Sequence, residues 1–518
     1  MRAGKQEGYA ESSEWGASWT FASLPLTKDH YRMEGRTEMH NSQDLQKVLE
    51  IRDAILGGNE KRLKEQREAG KLTARERVEK LADAGSFVEL FALVSQNEEG
   101  AGVITGYATI EERPVYLFAQ DFTVHGGAMG KAQAAKILKL LDMALKTGAP
   151  VVALLDSAGV RIDEGAAAMS AYSEIYQKLA RMSGVCPIVS VVLGPCIGGA
   201  ALLTQLADVS IVAEKVGEVM VFGPQVLAAM NGLDVKPQEL GGHLRAATED
   251  EALLKAKQVL ALLPSSNLED SEIIDSDDMS RLIPAIDAAD VDALVAALMD
   301  GGASIELYAA YEPSVRVFMG RMGGHSVGVV AASGKLTAGA LQKAARFVRF
   351  MDCFGIAVIS LLNTCGVTVD SVNAQGWLFK AQSQLLFAYA EATAPKLAVV
   401  TGDAIGQAYV AMGGKANADI TYAWPGAVIS ALTPEAAVAV LYADQVKADK
   451  DLSVEEARAK YAGEYVEKVA GAVNAAKDGM VDDIIDPAKT RAMLISALEM
   501  LGSKRDSNPP KKHDNLPM

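Results

Sequence analysis

Two short runs of small residues could stabilise a developing negative charge without any reactive side chain. One is Cys196-Ile197-Gly198-Gly199-Ala200 and the other is Ala404-Ile405-Gly406-Gln407-Ala408. Each follows an apolar run with strand character and precedes a helical segment. Small residues at such a turn let the backbone come close to a ligand. The first N–H groups of a helix have no partner inside it and can hold a negative oxygen. A second pair of small-residue turns, Asp156-Ser157-Ala158-Gly159-Val160 and Asn363-Thr364-Cys365-Gly366-Val367, closes two further strands. Two turns side by side form an oxyanion hole, and loss of one donor from such a hole costs about 10²–10³ in rate. Enolate chemistry needs that stabilisation and little else, and two such pairs make two holes. The competing reading is structural, because Gly and Ala at strand-to-helix turns also occur where helices simply lie close. Asp156 and Glu164 flank the first turn and read as capping or surface groups rather than a carboxylate pair.

The turns belong to an internal repeat. Gly148-Ala149-Pro150 followed by Val151–Leu155 matches Gly355-Ile356 followed by Ala357–Leu362. Pro187 followed by Ile188–Leu193 and Gly194 matches Pro395-Lys396 followed by Leu397–Thr401 and Gly402. The landmarks recur about 207 residues apart and in the same order. The chain is therefore two similar halves. Residues 1–42 read as a disordered extension, the alternative being a natural start at Met39. Residues 43–280 form the first half and residues 281–518 the second, with a joint around 264–290 that holds Pro264-Ser265-Ser266-Asn267 and the acidic run Asp275–Asp278.

Residues 43–90 are charged and helical in period, and the run Asn59–Arg67 reads as a solvated helix face. A hairpin follows, Val103–Ile110 and Val115–Gln120 about a turn at Glu111-Glu112-Arg113-Pro114. Beyond it, apolar strands alternate with helical segments, which predicts an α/β architecture. No charge occurs between Arg181 and Asp208. That length would suit a membrane span. Pro187, Gly194, Pro195, Gly198 and Gly199 interrupt it, so a buried strand, a glycine turn and a helix start fit better.

Other chemistries fit poorly. None of the Gly-Lys pairs at 70–71, 334–335 and 414–415 is followed by Ser or Thr, so no P-loop is present. No Gly-x-Ser-x-Gly elbow occurs. The six histidines are scattered and no Cys/His cluster suggests a metal. The four cysteines, Cys186, Cys196, Cys353 and Cys365, lie in apolar stretches and read as buried, reduced thiols of a cytoplasmic protein. The 518 residues leave room for about two to four domains. With 49% apolar and 22% charged residues, the bulk of the chain is globular rather than disordered. A net charge of −16 makes it a poor partner for nucleic acid or anionic membrane.

At its turns the sequence resembles the carboxyltransferase subunits of biotin-dependent acyl-CoA carboxylases and decarboxylases, such as propionyl-CoA carboxylase beta chains and methylmalonyl-CoA decarboxylase alpha chains. The resemblance runs over about residues 43–518. It is carried by Gly70-Lys71-Leu72-Thr73-Ala74-Arg75-Glu76-Arg77, Gln120–Gly127, Asp156–Ile162, Gly194–Ala200, Phe387–Thr393, Tyr422-Ala423-Trp424-Pro425 and the tail from Ser503 to His513. It implies two tandem crotonase-like (ClpP/crotonase) domains, an acyl-CoA site in the first half and a biotin site in the second. It also implies a homo-oligomer whose site lies between the first half of one subunit and the second half of another. By this resemblance Gly199 and Ala200 hold the thioester enolate oxygen, and Gln407 and Ala408 hold the biotin ureido oxygen. Ala158, Gly159, Gly198, Cys365, Gly366 and Gly406 shape the two substrate sites. Val410 falls where the family places an acyl-size determinant, the alternative being a plain core valine. No metal is implied.

The chain departs from the family in two places. Cys365–Asp370 stands where Pro-Gly-Phe-Leu-Pro-Gly is usual, a pattern nearer the decarboxylase branch. Gln407 replaces the second Gly of the biotin-side turn, which keeps an N–H there only if φ is negative. No Ala-Met-Lys-Met biotinylation motif and no ATP-binding module occur. The resemblance therefore implies biotin on a separate carrier protein, and a biotin carboxylase or a membrane decarboxylase beta subunit as a further partner. The substrate pair is propionyl-CoA/methylmalonyl-CoA or acetyl-CoA/malonyl-CoA. Three alternatives stay open: the alpha subunit of a sodium-pumping decarboxylase, a single-substrate crotonase-type hydratase or isomerase, and a non-catalytic CoA-binding scaffold.

Overall fold

The computed structural model describes residues 42–94, 100–231, 242–274, 277–368, 372–513 and 515–516. The extension read over residues 1–42 lies outside these, Ser42 excepted. The charged segment forms three helices, Ser42–Gly57, Glu60–Glu68 and Ala74–Leu81. The last begins with a capping box in which Thr73 and Glu76 bond each other's backbone.

The first sheet contains β1 (Val88–Leu90), β2 (Val103–Ile110), β3 (Arg113–Gln120), β4 (Val151–Ser157), β5 (Ile188–Ile197), β6 (Val209–Ala213), β7 (Glu218–Met220) and β8 (Leu244–Ala246). The second contains β9 (Ser304–Leu307), β10 (Val315–Met322), β11 (His325–Leu336), β12 (Ala357–Val367), β13 (Lys396–Ile405), β14 (Ile420–Ala423), β15 (Val428–Ser430) and β16 (Asp483–Ile484). The strand orders are β1-β2-β3-β4-β5-β6-β8 and β9-β10-β11-β12-β13-β14-β16, with β7 on β5 and β15 on β13. Three antiparallel strands lead into parallel ones in both sheets. The repeat read from the sequence is thus a repeat of topology. All seven residues of β4 are buried, as a parallel strand covered on both faces requires.

Three readings need correction. The β2–β3 turn is two residues long, not four, because Glu111 and Glu112 take φ of 50° and 65°. The Asp83 carboxylate accepts both of their N–H groups, at 3.0 and 2.9 Å, and holds that conformation. The central strands run on into the small-residue turns: β5 reaches Ile197 and β12 reaches Val367. Short strands β7 and β15 pair with the far ends of β5 and β13 and extend them. The thiols are free, but Cys353 is exposed and Cys365 half-buried. Both stand where an element leaves the core.

One core cluster runs through both halves, from Leu81 and Val191 to Val317 and Phe347. Arg346 ties them further by donating to the Gln205 and Ala207 carbonyls at 3.2 and 3.0 Å. Between the helices Glu249–Leu262 and Val291–Leu298 the described residues contain no helix or strand. The sequence reading missed one further repeat. Lys136, on helix Lys131–Thr147, and Lys343, on helix Ala338–Cys353, occupy matching positions. Both ammonium groups are buried against carbonyls, Val103 at 2.6 Å for the first, Tyr308 and Tyr311 at 2.9 and 2.7 Å for the second. Burial pulls both down to about 8.

Candidate active site

Gly198 and Gly406 adopt nearly the same conformation, φ 60° and ψ −117° against φ 63° and ψ −130°. Only glycine enters that region without strain. Each donates its N–H to a neighbouring strand end, Gly198 to the Met220 carbonyl and Gly406 to the Ser430 carbonyl, both at 2.8 Å. The chain then turns directly into a helix, Gly199–Leu206 in the first half and Gln407–Met412 in the second. The N–H groups of Gly199, Ala200, Gln407 and Ala408 have no acceptor among the described residues. They are two matched pairs of donors at helix starts, positioned to take a developing oxyanion. Gln407 is not among the positive-φ residues, so its side chain costs the helix start no backbone strain.

The other turns carry their N–H groups differently. Gly159 donates to Ser157 Oγ at 3.1 Å and Gly366 to Thr364 Oγ1 at 3.2 Å. Ala158 donates to the Gly126 carbonyl at 2.9 Å. Ala158 is exposed and Gly159 buried. The expectation that these turns also offer free amides is not met in the first half. Ala158 and Gly159 form a braced wall beside the open pair at Gly199 and Ala200. Cys365 and Gly366 are half-buried in the matching place. Val410 is exposed, which removes the core-valine reading.

Behind the first open pair stand Tyr172 and Tyr176, stacked at 5.4 Å on helix Ala166–Met182. Tyr172 donates to the Gly159 carbonyl at 3.0 Å and Tyr176 to the Gly199 carbonyl at 2.9 Å. A Cβ at Gly199 would lie 2.6 Å from the Tyr172 ring and 2.7 Å from the Tyr176 hydroxyl, so glycine is required there. Behind the second pair lie Leu341, Val367, Gln382, Leu385 and Leu386, and Gln407 is exposed. Cys196, in the first turn, is fully buried and its thiol is pushed up by that burial, so it is no nucleophile.

Asp156 is not the capping or surface group expected from the sequence. It is fully buried at the end of β4, 2.7 Å from Lys71 Nζ and 2.8 Å from Arg77 Nη1. Arg77 continues to Glu249 and to the Leu193 carbonyl, both at 2.5 Å. Burial lowers the Lys71 pKa against the opposing pull of Asp156. This network clamps the segment before helix Ala74–Leu81 onto the ends of β4 and β5. No periodicity announces it, although Lys71 and Arg77 lie in one of the motifs quoted above. The matching residue in the second half is Asn363, which accepts the Asp403 N–H at 3.2 Å and has no ionic partner among the described residues. Glu164 does cap, accepting the Lys131 N–H at 2.7 Å.

A cavity of about 380 Å³ opens beside the first turn, where Arg62, Lys71, Phe122, Thr123 and His125 share the lining with Glu65 and Gly126. Gly126 connects it to Ala158 through the bond already described. Cationic, aromatic and hydroxyl groups together suit a phosphorylated, partly aromatic ligand. Arg62 is held over it by a 2.9 Å bond to the Thr123 carbonyl.

Comparison with known proteins bears on this geometry. Residues 65–516 match the model of the carboxyl transferase domain family. The chain is 36% identical over 499 residues to the methylmalonyl-CoA decarboxylase subunit alpha of Veillonella parvula, covering 89% of this chain and 96% of that one. It is 37% identical over 513 residues to the propionyl-CoA carboxylase beta chain of Saccharopolyspora erythraea, covering 90% and 94%. A crystal structure of transcarboxylase 12S, described as a hexamer with methylmalonyl-coenzyme A and methylmalonic acid bound, superposes with a TM-score of 0.86 at 35% identity. That match covers 93% of this chain and all of the other, and the shared fold is the crotonase fold in two sheet domains. With two repeated sheets, each ending in a glycine-gated pair of open amides, and with these matches over nine-tenths of its length, the chain belongs to the carboxyl transferase domain family.

Proposed function

We propose that this protein is a carboxyltransferase subunit that moves a carboxyl group between carrier-bound biotin and a short acyl-CoA, propionyl-CoA/methylmalonyl-CoA before acetyl-CoA/malonyl-CoA. The observation that carries it is the duplicated pair of open amides, Gly199 with Ala200 and Gln407 with Ala408. Residues 43–280 take the CoA ester and residues 281–518 take biotin. The cavity at Arg62, Lys71 and Phe122 suits the CoA phosphates and adenine. The second pair of donors suits the ureido oxygen of biotin, because neither N–H group has an acceptor among the described residues.

Bound biotin supplies the carboxyl group and the base for the α-proton of the acyl-CoA. The chain's own part is electrostatic. The Gly199 and Ala200 amides take up charge on the thioester oxygen as the α-carbon loses its proton, and the Gln407 and Ala408 amides take up charge on the ureido oxygen. Both sets are in place before reaction, so no reorganisation is needed as charge develops. Gly198 and Gly406 fix the turns, and Ala158, Gly159, Cys365 and Gly366 wall them. Val410, exposed on helix Gln407–Met412, bounds the acyl group.

Each turn is rimmed by exposed apolar residues, Leu202, Val221 and Phe222 in the first half and Val410 and Leu432 in the second. Such rims favour a homo-oligomer in which the first turn of one subunit faces the second turn of another. The hexamer named for the transcarboxylase relative supports this. Among the described residues no helix is long and apolar enough to cross a membrane. We assign the protein to the cytoplasm, working with a biotinyl carrier and a biotin carboxylase. The Cys365–Asp370 pattern and the similarity to decarboxylase alpha subunits favour a second reading, in which the partner is a membrane decarboxylase beta subunit.

The test is incubation of purified protein with free biotin and methylmalonyl-CoA or malonyl-CoA, following CO2 release. Biotin-dependent turnover supports the reading, and the preferred ester names the acyl group. CoA-ester binding without turnover of either ester would instead favour the scaffold, and hydration of crotonyl-CoA without biotin the hydratase.

A further inference from the structure

The two open amide pairs differ in what stands behind them. In the first half, one peptide unit joins the Gly199 carbonyl to the Ala200 N–H. Its carbonyl end accepts a 2.9 Å hydrogen bond from the Tyr176 hydroxyl. Its N–H end has no partner among the described residues. A hydrogen bond at the carbonyl of an amide shifts electron density toward oxygen and makes the N–H a better donor. The same bond fixes the rotation of the peptide plane, and so the direction of the N–H.

Tyr176 is itself held in place. It stacks on Tyr172, with the rings 25° apart, and the buried Tyr172 hydroxyl bonds Gly159 in the wall of the same site. Burial pushes the Tyr176 phenol up to about 12, so it stays a donor across the physiological range. In the second half no side chain among the described residues donates to the Gln407 carbonyl. The brace belongs to one site and is not a general property of the repeat.

We propose that Tyr176 is a positioning residue for carboxyl transfer, whose hydroxyl orients and polarises the Gly199–Ala200 peptide so that the Ala200 N–H meets the thioester oxygen as charge develops on it. The assignment rests on the carboxyltransferase reading and names what tunes its first oxyanion site.

The test uses the intact protein with free biotin and whichever ester it turns over. Tyr176→Phe keeps the ring, the stack and the volume, and deletes only the hydroxyl. One hydrogen bond of ordinary strength predicts a fall in kcat of about 5- to 10-fold. KM should stay within about twofold, because the effect is specific to the transition state. Incorporation of 3-fluoro- and 3,5-difluorotyrosine at 176 makes the phenol progressively more acidic at nearly constant shape. kcat should rise along that series if the hydroxyl polarises the peptide, and a merely structural tyrosine would show no trend. An unchanged kcat in Tyr176→Phe, or a flat fluorotyrosine series, overturns the assignment while leaving the carboxyltransferase reading standing. Wild-type protein that turns over neither ester overturns both.

Discussion

The two halves share one topology and one turn conformation, yet they are finished differently around their open amides. The first is closed from behind. Tyr172 and Tyr176 fill the space under Gly199, and Asp156 sits in a buried network with Lys71, Arg77 and Glu249. The second is backed by apolar groups, Leu341, Val367, Leu385 and Leu386, and has a neutral Asn363 where Asp156 would be. Backbone geometry is what the repeat preserves, and side-chain support is what it varies. A site that needs only N–H groups tolerates such variation, because the backbone amide at 407 is present whatever the side chain. Support from behind is polar in the first half, through the tyrosine hydroxyls, and apolar in the second.

The largest expected effect breaks the ionic half of this comparison. Asp156→Asn leaves Arg77 and Lys71 buried without their shared counter-charge and should cost about 3–5 kcal/mol in urea unfolding. Asn363→Asp places a carboxylate where none of the described residues supplies a cationic partner and should cost less, about 1–3 kcal/mol. Equal losses would mean that the two networks are not distinct. Next comes the fit beneath the turn. Gly199→Ala forces a methyl into the tyrosine pair and should lower biotin-dependent turnover by about 10²–10³, comparable to removing an oxyanion donor. Gln407→Gly meets no such obstacle and should alter it only a few-fold.

A third pair sharpens what the halves have in common. Gly198→Ala and Gly406→Ala each put a side chain into a region that only glycine enters freely, and each should lose about 1–3 kcal/mol. A large difference between them would deny the shared turn.

The smallest effect concerns pH. Asp208 and Asp419 match, each accepting the N–H of the residue that opens β5 or β13, both at 2.8 Å. Burial pushes Asp208 up to about 6, whereas Asp419 has Lys504 at 2.9 Å. A carboxyl raised in the folded state contributes its stability below the unfolded pKa and loses it as pH rises through the folded one. Asp208→Asn should therefore gain in Tm relative to wild type between pH 4 and 6 and keep that gain at pH 7. Asp419→Asn should lose Tm at pH 7. The same sign for both would remove this distinction between the halves.

Much of this was legible in the residues. The repeat of apolar strands and small turns predicted two α/β halves, and the strands appear at the expected places. The hairpin turn came out shorter because Asp83, distant in sequence, supplies the acceptor for both turn amides. Asp156 was misread as a surface or capping group for a related reason: its two cationic partners come from a segment some 80 residues earlier, and no local pattern signals a contact of that range. The tyrosines behind Gly199 went unnoticed because aromatic residues on a helical face read as ordinary core.

What the sequence determined by itself is set by short-range chemistry. Glycine where φ must be positive, small residues where a helix starts against a strand, and alternation of apolar runs with helical segments are all local demands, written in adjacent residues. What the tertiary structure decided depends on which distant groups meet. It decided that the Ala158 and Gly159 amides are bonded internally while those of Gly199 and Ala200 find no acceptor among the described residues, and that Asp156 is buried with Lys71 and Arg77. It decided also that one open pair is braced by tyrosines and the other is not. Hydrogen bonds and ion pairs act over a few ångströms of space, and only the packed fold determines which residues come within that distance.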